Sequence, residues 1–127
     1  MDIGVLRRDG RTDPFFDGTA ADRLVIRHCE PCDRWFAPDE TGCPECGGED
    51  LAWAESSGRA SLVTWTVTHS RDGAEPPACL ALVELAEGPW LHTRLDGVDP
   101  ASLREGLPLR AAFVHPDEGE SYVLFRQ

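Results

Sequence analysis

Two cysteine hooks constrain this chain more than any other feature. Cys29-Glu30-Pro31-Cys32 and Cys43-Pro44-Glu45-Cys46 stand ten residues apart in a sequence of 127. Each hook turns the backbone so that two sulfurs face one point, and a pair at this separation completes a tetrahedral shell for one Zn²⁺. Pro31 and Pro44 stiffen the turns, and Gly47-Gly48 lets the second hook leave through unusual backbone angles. Four thiolates leave no coordination position for water or substrate, so the metal is expected to be structural. Two disulfides or a redox pair fit poorly, because a lone redox hook belongs at a strand–helix junction. A tetrahedral sulfur cage does not separate zinc from iron, so a rubredoxin-type iron stays open.

Length suits one compact domain with a small appendage, and 41% hydrophobic residues support a real core. No basic start followed by an apolar run is present, so no secretory signal is expected. The longest strongly apolar run, Ala78 to Val83, is too short to span a bilayer. Together with cysteines arranged for metal, this places the chain in a reducing cytoplasm. Twelve basic against 23 acidic residues give a net charge of −11. Nucleic acid demands a basic face to displace counterions, so single-stranded nucleic-acid binding is disfavoured, although local arginines could hold a phosphate. Every basic residue is arginine. Without lysine the chain cannot form a Schiff base with a carbonyl substrate or with pyridoxal phosphate.

The sequence divides into an N-terminal arm and helix (1–23), a zinc ribbon (24–57) and a barrel (58–127). Residues 1–12 read as a loose polar arm. Asp13-Pro14 reads as helix N-cap and first turn, and Phe15, Phe16, Ala20, Ala21 and Leu24 follow at approximate helical spacing, with Gly18 weakening a continuous helix. Ribbon strands are expected at Leu24–His28, at Trp35–Pro38 as the middle strand, and at Leu51–Glu55. Trp35, Phe36 and Trp53 would supply the ribbon's small apolar cover. Barrel strands are expected at Ala60–His69, Cys79–Leu85, Trp90–Leu95, Leu107–His115 and Ser121–Phe125. In the first, Val63, Trp65 and Val67 would share one face, with Leu62, Thr64, Thr66 and Thr68 on the other. A helical turn opened by Asp99-Pro100 separates the third from the fourth. This mainly β order is that of a five-stranded OB-fold barrel, an open five-stranded sandwich being the alternative.

On these residues the chain resembles the zinc-ribbon plus OB-fold proteins of domain-of-unknown-function family thirty-five. The resemblance runs from about Asp13, through Pro14-Phe15-Phe16-Asp17-Gly18, Leu24 and the two hooks. It continues through Gly58 to His69, Ala81-Leu82-Val83-Glu84-Leu85 with Glu87-Gly88, and Gly106-Leu107-Pro108-Leu109, to Leu124-Phe125-Arg126. It implies an accessory, non-catalytic subunit of a thiolase-like acyl-CoA enzyme: a thiolase, a synthase, or a lipid-transfer-protein type aldolase acting on steroid side-chain or other bulky CoA thioesters. The small protein would stabilise that partner and help form its acyl-CoA site, in a hetero-oligomer. A stand-alone acyl-CoA carrier is the alternative, and a nucleic-acid-binding barrel a more distant one.

No catalytic residue is nominated. His28, His69, His92 and His115 lie in or beside strands, outside any local nucleophile motif. His69 is the one to test, since it borders the Arg71–Pro77 loop. Cys79 opens an apolar strand and reads as a buried, inert thiol. Asp117, Glu118 and Glu120 read as a solvated turn. Arg34, Arg59, Arg71 and Arg94 are the candidates for CoA phosphates, because arginine is the only strong cation available. Phe15, Phe16, Trp35 and Phe36 are the candidates for a partner-facing apolar surface.

Overall fold

The computed structural model describes residues 6–8, 10, 12–49, 51–69, 72–73 and 78–127. Over these described residues it is mainly β, with one α-helix, α1 (Asp13–Ala20), and eight strands. The first three are β1 (Val25–Cys29), β2 (Arg34–Phe36) and β3 (Ala52–Glu55), antiparallel in the order β2-β1-β3. Trp35–Phe36 therefore lies on an edge, and β1 is the middle strand. The other five are β4 (Arg59–Thr68), β5 (Ala78–Leu85), β6 (Trp90–Leu95), β7 (Pro108–Val114) and β8 (Tyr122–Arg126). They close as β4-β5-β6-β8-β7, with β7 returning to β4, so the open sandwich is excluded. Between β6 and β7 a 3-10 turn spans Pro100–Ser102, and the Asp99 carboxylate accepts from the Ala101 amide at 3.0 Å.

The alternation expected along β4 breaks at a β-bulge. Leu62 pairs with Val83, but Thr64 pairs with Leu82, so Val63 is an extra residue. A bulge advances the side-chain phase by one. Leu62 thus faces the core before it and Trp65 packs on the core after it, while Thr64 and Thr66 are exposed. The faces read from strict alternation are corrected accordingly.

One apolar core runs through both sheets. Leu24 and Ile26, at and beside the start of β1, join Leu62, Val83, Leu85, Leu107, Leu109 and Phe125 in a single cluster, with Trp35 and Phe15 packed against it. Each such side chain contributes about 1.5–3 kcal/mol on burial. A second, smaller cluster holds Cys29, Cys43 and Leu51, with Cys32 and Phe36 against it.

The helix starts one residue earlier than expected. Thr12 is the N-cap, with its carbonyl accepting from the Phe15 amide at 3.0 Å, and Asp13 is already helical. Gly18 does not interrupt α1; β1 crosses it too closely for any side chain. A Cβ there would lie 2.6 Å from Val25 Cγ2 and 2.9 Å from the Arg23 carbonyl. Gly18→Ala gains about 1 kcal/mol in helix propensity and loses about 1–3 kcal/mol to overpacking. It is expected to lower the urea midpoint; an unchanged or raised midpoint would refute the close approach.

The N-terminal arm is not loose where it is described. Arg7 pairs with Glu118 at 3.1 Å, and Arg8 reaches Glu120 at 2.6 Å and Asp17 at 2.9 Å. The Glu120 amide donates to the Leu6 carbonyl at 2.8 Å. The acidic turn before β8 is thus an anchor for residues 6–8. The fully buried Thr19 hydroxyl, 2.8 Å from the Ser121 carbonyl, ties α1 to the same region.

Candidate metal centre and ligand surfaces

Cys29 ends β1, and the chain reverses through Asp33, whose φ of 52° falls in the left-handed region, before β2 returns. The second hook is closed by its own backbone: the Gly47 amide donates to the Cys43 carbonyl, and the Cys43 amide to the Gly48 carbonyl, both at 2.8 Å. Gly47 adopts φ 70°, and a Cβ on Gly48 would press to 3.3 Å from the Cys46 sulfur. These constraints bring the four sulfurs within 4.8 Å of one another. Cys29 and Cys46 Sγ lie 3.7 Å apart. A regular tetrahedron with metal–sulfur bonds of about 2.3 Å has edges of about 3.8 Å. The cysteines are free thiols, and the spacing fits a metal rather than disulfides.

The donor set also asks for a cation. Amide donation from Cys46, partly opposed by burial, holds the Cys43 thiol down at about 7. Cys32 is pushed up to about 12, first by its hydrogen bond with Cys46 and then by burial. Four crowded sulfurs do not ionise together without a positive charge among them.

The four arginines nominated from sequence do not form one site. Arg34, on the ribbon edge, pairs with Glu45 at 3.4 Å. Arg59 opens β4, and Arg94 lies in β6. Arg71 lies outside the described residues. His69 is exposed. Cys79 packs against the core, and burial pushes its thiol up, as expected of an inert group. His28 lies 2.9 Å from Asp33 and against the Trp35 ring at 4.5 Å, facing away from a ligand role.

Phe15 and Phe16 are half-buried and meet edge to face at 5.3 Å. Phe15 packs on the core, so α1 is docked within the fold. Both rings also line two adjoining cavities. One, of about 410 Å³, includes Leu80, His92, Arg94 and Tyr122; the other, of about 380 Å³, includes Pro38, Trp90 and Leu91. Among the described residues, Trp90 and Leu80 are two of the few large apolar side chains left exposed. Neither stood out in the sequence, where outward and inward strand positions look alike once both are apolar. Trp35 and Phe36 turn into the two core clusters instead.

A Ser–His–Asp arrangement also escaped the sequence, because its members come from distant segments. His115 lies 2.6 Å from Asp22 and 2.8 Å from Ser121. The ring is nearly half exposed, and neither it nor Ser121 lines a described cavity, so the cluster acts as a surface staple between the end of α1 and β8.

A three-stranded ribbon with four converging sulfurs, sharing its core with a closed five-stranded barrel, defines a zinc-ribbon plus OB-fold protein. Residues 16–52 match the family described as ChsH2, rubredoxin-like zinc ribbon domain, and residues 53–114 match ChsH2, C-terminal OB-fold domain. The chain belongs to this ChsH2-type DUF35 family. It superposes on a chain of the solved Ltp2-ChsH2(DUF35) aldolase with a TM-score of 0.81 and 30% identity, covering 94% of this chain and 95% of that one. It is 32% identical over 114 residues to a probable enoyl-CoA hydratase alpha subunit of Thermomonospora curvata, covering 88% of this chain but only 36% of that protein. It is 35% identical over 88 residues to a DUF35 domain-containing scaffold protein of Pyrococcus furiosus, covering 67% of this chain and 64% of the relative. No helix among the described residues is long and apolar enough to cross a membrane.

Proposed function

We propose that this chain is a non-catalytic accessory subunit of a thiolase-like acyl-CoA enzyme, acting as a lyase of the retro-aldol type on a bulky CoA thioester such as a steroid side chain. The likeness over almost the whole length of both chains to a component of the Ltp2-ChsH2(DUF35) aldolase carries this reading. The alpha-subunit and scaffold names of the relatives support an assembly role. The hydratase activity named for the Thermomonospora protein belongs to a chain of which this one spans about a third, and it is not carried over. Zinc is the metal proposed for the four cysteines, closing the shell and stabilising the ribbon without taking part in chemistry. The arm and helix, ribbon and barrel are proposed as the working parts, divided after residues 23 and 57.

The partner would dock where Phe16, Trp90 and Leu80 leave apolar surface beside α1, with Phe15 behind them. An apolar centre with a polar rim is the usual anatomy of such interfaces. Acyl-CoA would be held largely by the partner, with contributions proposed from Arg59 and Arg94.

The test is complementation. The zinc-loaded chain alone is expected to show no turnover of acyl-CoA thioesters, and addition of the thiolase-like subunit from the same host is expected to produce activity. Phe16→Glu should abolish that gain by weakening the complex, whereas His69→Ala and Cys79→Ala should leave most of it. Robust turnover by the isolated chain would overturn the reading, as would a partner that runs at full rate without it.

A further inference from the structure

The barrel closes between β6 and β8 through a single residue pair, Leu95 with Phe125. The Leu85 amide donates to the Pro89 carbonyl at 2.8 Å, so these residues form a bonded pair of the β5–β6 hairpin. Opposed residues of an antiparallel pair alternate between bonded and non-bonded. Leu91, Thr93 and Leu95 therefore bond to β5, whereas the N–H and C=O groups of Trp90 and His92 point away from it. Across the gap, the Ala111 amide donates to the Gly58 carbonyl, so Ala111 and Phe125 are a non-bonded pair of β7 and β8. By the same alternation Val123 turns its backbone groups away from β7, towards β6. Among the described residues, the amides of Trp90 and His92 meet no backbone acceptor.

Open space runs beside this free edge. The cavities of about 410 Å³ and about 380 Å³ meet at Phe15, Phe16 and His92, the first reaching Arg94 and the second Trp90. Together they follow β6 from Trp90 to Arg94, about 17 Å of extended chain. Leu80 and Tyr122 wall one end, and Pro38 the other, where Asp39 adds a carboxylate. Trp90, at that second end, is 54% exposed. An unpaired strand edge beside an apolar channel is a template for another strand.

We propose that an extended segment of the thiolase-like partner adds itself to β6 as an extra strand. Its backbone pairs with the amides and carbonyls of Trp90 and His92, and its alternate, apolar side chains fill the channel against Phe16 and Tyr122. A basic residue at one end meets Asp39, in keeping with a chain of net charge −11. A partner helix laid on the same surface has no backbone groups to offer, and would bury the β6 edge unsatisfied. The proposal rests on the accessory reading and adds the form of the docking, backbone pairing along a strand.

Hydrogen exchange and affinity of the zinc-loaded, full-length chain test this, with the purified thiolase-like subunit of the same host as probe. In the free chain the Trp90 and His92 amides should exchange faster than those of Leu91 and Thr93. In the complex they should slow about tenfold or more. His92→Pro removes the edge N–H and leaves the β5 ladder intact, an outward-facing edge being where strands tolerate proline. It should weaken capture about tenfold or more. His92→Ala, which loses the ring but keeps the amide, should weaken it far less. If His92→Pro fails to fold, the exchange rates of the parent complex decide. A complex with unchanged exchange at Trp90 and His92 overturns strand addition and leaves the accessory reading standing, as do equal losses in the two variants. Protection of the same amides by self-association of the free chain overturns it in favour of a second copy. Absence of any complex with the parent chain overturns both readings.

Discussion

Removing the metal, or replacing Cys43 by serine, is expected to unfold at least the ribbon. Among the described residues, the small cluster around Cys29, Cys43 and Leu51 is the metal end's separate core. Fixing each residue's backbone costs about 1–2 kcal/mol, and so few apolar side chains cannot offset that for the two hooks and the segment between them. Structural zinc supplies about 10–16 kcal/mol in small peptides, as much as the whole stability of an ordinary domain, about 5–15 kcal/mol. Cys43 is the sharper choice of ligand because it is buried, whereas Cys46 is exposed. Elemental analysis should find about one metal per chain in the parent protein. Chelation should change the emission of Trp35 and Trp53, which lie in the two edge strands of the ribbon. A folded, metal-free protein would refute the expectation.

Phe125→Ala is expected to cost about 3–5 kcal/mol, the range for deleting a buried aromatic ring. Phe125 is 0% exposed and sits where the barrel closes. It faces Ala111 on β7 and is the one β8 residue in register with β6, opposite Leu95, while its carbonyl accepts from the Asp96 amide at 2.9 Å. A void here removes packing at the narrowest junction of the sheet, where few neighbouring ladder bonds share the load. Denaturant titration should show the midpoint falling sharply with the slope maintained. Val67→Ala, on an exposed position of β4, should be close to neutral. A loss at Phe125 no larger than at Val67 would mean that the seam relaxes to fill the void.

Features set by local chemistry were legible from the residues. The cysteine hooks specify a site through spacing alone, and Asp99-Pro100 specifies a turn through one side-chain hydrogen bond. Strand positions were legible to within a residue or two, because alternation and turn residues bracket them. The failures are those of pairing. The bulge at Val63 exists only relative to β5, so strict alternation put Leu62 and Thr64 on one face. Trp35 and Phe36 occupy an edge because β3 pairs on the far side of β1, which no property of β2 announces. Gly18 looked like a helix breaker, and its real constraint comes from Val25 across a packed interface. At the apolar surface the same limit applies: Leu80 and Trp90 looked like any other strand positions until the barrel left them exposed.

β1 serves two structures at once. Ile26 is fully buried in the core shared with the barrel, and Cys29, three residues along the same strand, closes the sulfur cage. The strand behaves as a short stiff lever, so that displacement at either end is felt at the other. Metal occupancy and barrel integrity are then linked equilibria rather than independent ones. An exchange of ribbons between members of this family would therefore transplant part of the recipient's interior along with the metal site. Compatibility would be decided at Leu24 and Ile26, well away from the cysteines.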